Sequence, residues 1–365
     1  MAQTKKECDP LRSCKKTVKK LVSLVLVLCL LLQTGLMASA VNTETPATET
    51  ESAYFTSTDW IWSADTYTTN SVSYFRHDYD LKADPVSLSI RTSAHNHLKF
   101  YVNGNLITGY VSPAPTALPE NINYLSYTFT GSELEALLNA DKTQLALAAA
   151  VQYMGSNGMN YINAKPAFWA EVVVGYADGS SETLITDTTW RALKDTPYKN
   201  GTPSQSSRQM NAQLDYDAQK MPDPLAWTLY GYDESSYTAG TWTNAVAADA
   251  ETATWKMRQQ NIPEGAIHEE ITPTLTGKQE VGWQVFDVGR IATGWVKIRA
   301  SAPAGTRICI RYSEDLTSYD ENGVVKHNVA NESSETYCDY YTFSGNGVEE
   351  FAANFDYKAD RKSVV

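Results

Sequence analysis

Apolar and polar positions alternate along much of this chain. Val86, Leu88 and Ile90 stand against Ser87, Ser89 and Arg91; Leu98, Phe100 and Val102 stand against Lys99 and Tyr101. Ile308, Ile310 and Tyr312 repeat the pattern, as do the runs 71–81, 169–176 and 337–343. A period of two sends successive side chains to opposite faces, so each run predicts a half-buried β-strand. The run 144–151 is apolar throughout and predicts a central strand covered on both faces. Asn103-Gly104 predicts a two-residue hairpin, because a type I′ turn needs positive φ at both central positions, and Asp178-Gly179 predicts a second hairpin. Ala304-Gly305 and Gly345-Asn346-Gly347 supply further turns. A single helix is expected, from a capping box of Ser132 and Glu135 to about Ala140, with Leu134, Leu137 and Leu138 on its apolar face. The fold class is therefore all-β, as two antiparallel β-sandwich modules in series, jelly-roll-like and concanavalin-like.

The ends of the chain depart from this pattern. Residues 1–40 join seven basic residues to an apolar run from Leu21 to Leu32 and close on Ala38-Ser39-Ala40, which predicts a cleaved signal peptide. Gln33, Thr34 and Gly35 interrupt the run before it reaches the ~20 residues of a spanning helix. Residues 41–54, a Thr/Glu tract with too little apolar content to fold, are expected to be a disordered linker. The first sandwich is then expected over 55–250, an extended connector marked by Ile262-Pro263 and Ile271-Thr272-Pro273 over 251–280, and a second sandwich, expected to be truncated, over 281–358. Residues 359–365 no longer follow the strand pattern; Asp360 to Val365 match an in-frame reading of a sequencing-library adapter and are expected to be a non-native tail.

Charge narrows the function. The chain carries 30 basic and 42 acidic residues, and removal of the first 40 leaves 23 against 40, a formal charge of −17. Such a surface repels phosphate backbones and anionic lipid, so nucleic-acid and membrane-surface partners are disfavoured and a neutral substrate suits it. Three of five cysteines leave with the signal peptide; Cys309 and Cys338 remain as either a disulfide or two buried thiols. Secretion, or display on the outer surface of a bacterium, is the expected location.

Short motifs then accumulate in order. In the first module they are Phe75-Arg76, Phe100-Tyr101-Val102-Asn103-Gly104, Tyr176-Ala177-Asp178-Gly179, Thr186-Asp187-Thr188-Thr189-Trp190, Asp215-Tyr216-Asp217-Ala218 and Gly231-Tyr232-Asp233-Glu234-Ser235. In the second they are Phe286-Asp287-Val288-Gly289-Arg290, Thr293-Gly294-Trp295, Arg311-Tyr312-Ser313-Glu314 and Gly345-Asn346-Gly347-Val348-Glu349. Together they resemble the bacterial α-L-rhamnosidase family of glycoside hydrolases, from about Trp60 to Tyr357. The resemblance implies that these modules precede an (α/α)₆ catalytic barrel that would follow in the same protein. That barrel carries two acids for inverting hydrolysis, set roughly 6.5–9.5 Å apart. On this reading the chain positions a rhamnose-containing carbohydrate and contains no catalytic residue of its own. The alternative is a non-catalytic carbohydrate-binding or cell-surface protein.

Individual candidates follow. Asp215 and Asp217 resemble a calcium-assisted, rhamnose-binding surface of the family, although Leu214 and Gln219 replace its usual neighbours. Two solvated loop carboxylates are the plainer reading. Trp227 and Trp242, beside the irregular stretch 195–225, are the tryptophans expected to be exposed for sugar stacking, whereas Trp60, Trp62, Trp169, Trp190 and Trp295 are expected in the core. His95-Asn96-His97 favours a turn over a metal pair, and Asp287 and Glu314 favour structural hydrogen bonding.

Overall fold

The alternating runs pair into sheets. The computed structural model describes residues 55–82, 84–114, 119–138, 142–155, 164–203, 212–276, 284–312, 338–353, 355 and 357–364. The expected signal peptide, the Thr/Glu linker and Glu314 lie outside the described residues. In the first module one sheet runs in the order Val246–Ala247, Ile61–Trp62, Ala167–Tyr176, Pro85–His95, Ile122–Thr130, Met257–Gln259, with Ser181–Ile185 also on Ala167–Tyr176. The facing sheet runs Thr243–Asn244, Arg191–Leu193, Ser71–Asp80, Gln144–Tyr153, His97–Val102, Asn105–Leu106. Phe75, Phe100, Phe168, Trp190, Leu147 and Val172 fill the space between them. The fold is all-β, and the strand Met257–Gln259 draws part of the connector into the first module.

The second sheet of the first module is buried on both faces. Leu145, Leu147 and Val151 point into its own core, while Ala148 and Ala150 pack toward the second module with Val72, Tyr74 and Tyr101. Small side chains on that face let another layer approach, which explains the unbroken apolar run seen in the sequence. The opposing layer orders Asp215–Asp217, Cys338–Thr342, Arg307–Arg311, Lys358–Val364, Val285–Gly294 and Thr274–Thr276, and Lys297–Ala300 pairs with Glu349–Ala352. Asp215–Asp217 comes from the stretch expected to be an irregular loop, yet it joins the second module as a parallel edge strand, Asp215 opposite Tyr340. Only a non-local partner makes a strand of it, so local pattern could not reveal it. Lys358–Val364, which includes most of the expected tail, pairs with Val285–Gly294 and meets Arg311.

The turns are mostly where the sequence places them. Asn103 (φ 44°) and Gly104 (φ 85°) both have positive φ, as a type I′ turn requires. Asn103 also donates to the carbonyls of Leu137 (3.0 Å) and Gln144 (3.1 Å) and accepts from the Ala146 amide (2.7 Å). A Cβ on Gly104 would be left-handed and 2.8 Å from Leu229 Cδ2, a side-chain tip that can move aside. Gly104→Ala is therefore expected to cost about 1–2 kcal/mol, set by the backbone conformation. An unchanged urea midpoint would contradict this. The helix begins earlier than expected, at Gly131, and runs to Leu137; its N-cap is Thr130 and makes no side-chain cap. Ser132 sits inside the first turn, so the capping box does not form.

Other expectations are corrected by burial. Val86 is 48% exposed although Leu88 and Ile90 are buried, because the register shifts between Pro85 and Ser87. Trp60, Trp62, Trp169 and Trp190 are core residues. Trp295 is only half-buried, its ring 4.9 Å from Tyr110. His95 and His97 flank a tight connection between two strands, as the turn reading expects. Burial holds both imidazoles down at about 4, so they are neutral at neutral pH.

Candidate functional site

A cleft of about 400 Å³ lies where the doubly buried sheet faces the second module. Its geometry follows from strand parity. In Ser71–Asp80, Phe75 faces the first core while Tyr74 faces the cleft; in His97–Val102, Phe100 faces the core while Lys99 and Tyr101 face the cleft. Ala150 supplies a shallow floor, and Tyr198, Tyr216, Tyr341, Phe351 and Phe355 form the far side. Trp227 lies flat on Tyr74, with ring centres 4.1 Å apart and planes within 6°. Tyr216 packs against Tyr198 (4.8 Å, edge-on) and Phe351 (5.8 Å).

The tyrosine hydroxyls share one region. Burial first, and then the proximity of the other phenols, pushes Tyr74 and Tyr216 well above their ordinary range. Burial does the same for Tyr101 and Tyr198, so these phenols stay neutral at physiological pH. The charged groups at the edge are held locally. Lys99 Nζ lies 4.2 Å from the centre of the Phe355 ring. Glu349 accepts from the Ser344 and Gly345 amides (2.9 Å each) and from the Tyr341 hydroxyl (2.8 Å). Burial pushes its carboxyl up, but these hydrogen bonds outweigh it and leave the group lowered. Glu349 and Glu350 both border the cleft, but as successive residues on one strand their side chains leave it on opposite sides. Hydrolysis of a glycoside needs two carboxyls facing each other across the bond, and these two do not make that arrangement.

The candidates named from sequence fall around this cleft rather than in it. Asp215 and Asp217 flank Tyr216 on its short strand, so parity turns both away from the space that Tyr216 enters. Asp215 pairs with Arg307 (2.9 Å), and Asp217 accepts the Gln219 amide (3.1 Å). Calcium takes six to eight oxygens, and an arginine on the first carboxylate competes with it. No group of three or more His, Cys, Asp or Glu residues gathers among the described residues. The pair as placed does not fit a calcium site.

Trp227 and Trp242 are not exposed: they are 1% and 5% accessible. Trp227 donates its indole N–H to the Pro224 carbonyl (3.0 Å) and forms the back of the cleft wall through Tyr74. Their loop folds back over the sheet, which a local reading could not anticipate. Asp287 accepts the Gly289 amide (2.7 Å), a structural role. Cys309 and Cys338 stand as thiols on adjacent strands, diagonally placed, with Cys309 opposite Tyr340 and Cys338 opposite Arg311. A hydrogen bond from Cys338 pulls the Cys309 thiol down to about 6 against the upward push of burial. Sequence reasoning missed Tyr74, Tyr101, Tyr198, Tyr216 and Tyr341. The available signal was the tyrosine at the centre of Asp215-Tyr216-Asp217, which a strand reading would have turned inward.

Comparison with known proteins fits these modules. Residues 83–269 match the family model of the alpha-L-rhamnosidase N-terminal domain, and residues 277–361 match that of the bacterial alpha-L-rhamnosidase concanavalin-like domain. An alpha-L-rhamnosidase of Streptomyces avermitilis is 26% identical over 294 residues, and one of Alteromonas sp. is 22% identical over 322. These alignments cover 80% and 83% of this chain but only 26% and 32% of the relatives, so the chain spans about a quarter to a third of their length. The crystal structure of the Streptomyces avermitilis alpha-L-rhamnosidase complexed with L-rhamnose superposes with a TM-score of 0.67 at 25% identity, over 81% of this chain and 27% of that one. The alpha-L-rhamnosidase of Dictyoglumus thermophilum superposes with a TM-score of 0.65 at 22% identity, over 87% and 33%, a likeness of fold.

Proposed function

The chain belongs to the alpha-L-rhamnosidase N-terminal domain family, and on that premise we propose that it is the substrate-positioning front of an inverting α-L-rhamnosidase that acts outside a bacterial cell. The whole protein would remove terminal α-L-rhamnose from glycans or glycosides. The hydrolytic acids would reside in a barrel further along the same polypeptide, and the segment described here would not turn over substrate alone. The observation that carries this reading is the succession of two rhamnosidase-type modules, in family order, around a cleft whose carboxylates are not paired for hydrolysis. The basic and apolar start of the chain supports export. The strongly acidic remainder supports a neutral substrate.

A non-catalytic carbohydrate-binding or cell-surface protein is the second reading, and the aromatic cleft is the observation in its favour. The test is enzymatic. The reading frame beyond the codon of Lys358 is sequenced, and both the extended product and this chain are assayed on an aryl α-L-rhamnoside. Turnover is expected from the extended product alone. Sustained turnover by the purified 365-residue chain would overturn the proposal. An inactive extended product would leave the binding-protein reading standing in its place.

A further inference from the structure

Strand parity gives the pair Arg307–Arg311 and Cys338–Thr342 two faces. Ile310 and Tyr341 point into the core shared with the first module. Cys309, Arg311, Cys338 and Tyr340 therefore stand together on the opposite face. Cys309 is opposite Tyr340 and Arg311 is opposite Cys338, so the two cysteines are diagonal neighbours. A hydrogen bond joins their sulfurs. Gln213 Nε2 also donates to Cys338 Sγ (3.2 Å). Cys338 is fully buried, whereas Cys309 is half-buried.

The two thiols are chemically unequal. Cys338 donates to the Cys309 sulfur, and Arg311 and Tyr340 donate to it as well, so the Cys309 thiolate is favoured against the push of burial. The same bond to Cys309, and then burial, push the Cys338 thiol up. A cysteine kept only for packing sits in apolar surroundings and is inert. A half-exposed thiolate in contact with a second thiol is instead a nucleophile beside its resolving group.

We propose that Cys309 and Cys338 are a reactive dithiol that an organic disulfide converts into a cross-strand disulfide. The Cys309 thiolate attacks one sulfur of the reagent, whose S–S bond breaks and expels a first thiolate. The mixed disulfide at Cys309 is then attacked by Cys338, which gives up its proton, and a second thiolate leaves. Two protein thiols are oxidised, one reagent disulfide is reduced, and the two protein protons end on the expelled thiols. The bond would staple the strand Cys338–Thr342, which holds Asp215–Asp217 on its other edge, to Arg307–Arg311. None of this chemistry depends on the glycosidase reading, so the two proposals fail separately.

The test is peptide mapping of the full chain after reduction, removal of the reductant and incubation with oxidised glutathione at neutral pH. A linked peptide pair containing Cys309 and Cys338, lighter by two hydrogens, is expected. In Cys338→Ala the resolving thiol is gone, and glutathione should stay on Cys309. The pH midpoint for alkylation of Cys309 by iodoacetamide, expected at about 6 in the parent, should rise in that variant because the donor is lost; a merely structural cysteine would show no such shift. Cys309→Ser changes only the half-buried position, and Cys338 should then resist alkylation until urea is added. The oxidised chain should melt about 5 °C above the reduced one, because the bond constrains the loop 309–338 in the unfolded state, and Cys309→Ser should abolish the difference. Absence of the linked pair would overturn the proposal. So would glutathione that remains on Cys309 of the parent, or a Cys309 midpoint that Cys338→Ala leaves in place. Should Cys338→Ala fail to fold, the parent map and Cys309→Ser decide the matter.

Discussion

Asp339→Ala is expected to lower stability by about 3–5 kcal/mol, the usual cost of stranding one member of a buried ion pair. Asp339 and Lys358 are both 0% exposed and lie 3.0 Å apart. The carboxylate has further duties: Oδ1 accepts the Leu214 amide (2.9 Å) and Oδ2 accepts the Tyr312 hydroxyl (2.7 Å). Leu214 precedes the strand that the first module lends to the second, Tyr312 follows the strand Arg307–Arg311, and Lys358 opens the last strand. One side chain thus ties three segments distant in sequence. Removing it leaves a buried ammonium and a buried amide with a partner lost, which is why the loss exceeds that of a surface pair. Lys358→Met should cost a similar amount, and Asp339→Ala with Lys358→Met should cost clearly less than the two single changes together, because neither charge is then stranded. Urea midpoints for the four proteins decide it. Single variants within about 1 kcal/mol of the parent, a surface-pair value, would refute the role assigned to this pair.

What the sequence discloses is local. The Asn103-Gly104 turn was legible because its two backbone conformations admit few other residues. The run 144–151 was legible as a central strand because only a strand covered on both sides tolerates it. What escaped is long-range. Asp215, Tyr216 and Asp217 were noticed as a motif, but which of them faces a cavity depends on pairing with Cys338–Thr342, more than a hundred residues on. The carboxylates attracted attention by their chemistry, and the parity of a three-residue strand gave the cleft to the tyrosine between them. Trp227 and Trp242 misled for the same reason. Their flanking sequence is polar and turn-rich, yet Arg76 and Arg191 pull that loop down onto the sheet by side-chain bonds that no periodicity records.

That loop is the basis of the second large effect. Arg76 is almost fully buried, with side-chain exposure of 6%, and its guanidinium is used at every nitrogen. Nε donates to the Trp227 carbonyl (3.1 Å), Nη2 to the Leu229 carbonyl (3.1 Å) and to Asp78 (2.6 Å), and Nη1 to Glu234 (3.3 Å). Glu234 is shared with Arg191 Nε (2.9 Å), whose Nη2 donates to the Trp242 carbonyl (2.8 Å). A planar fork of donors can serve four acceptors at fixed angles; a lysine ammonium cannot. Arg76→Met is expected to cost about 3 kcal/mol, toward the low end of the buried-pair range, because Asp78 and Glu234 are a quarter to a fifth exposed and water can reach them once the arginine is gone. Arg76→Lys should recover less than half of that. The loss should also be local: amides of residues 226–237 should exchange faster, and Trp227 should loosen from Tyr74. Amide exchange of that loop and the urea midpoint together test the claim. A variant that keeps both parental values would show that the loop is held by its tryptophans alone and that the arginine fork adds nothing to them.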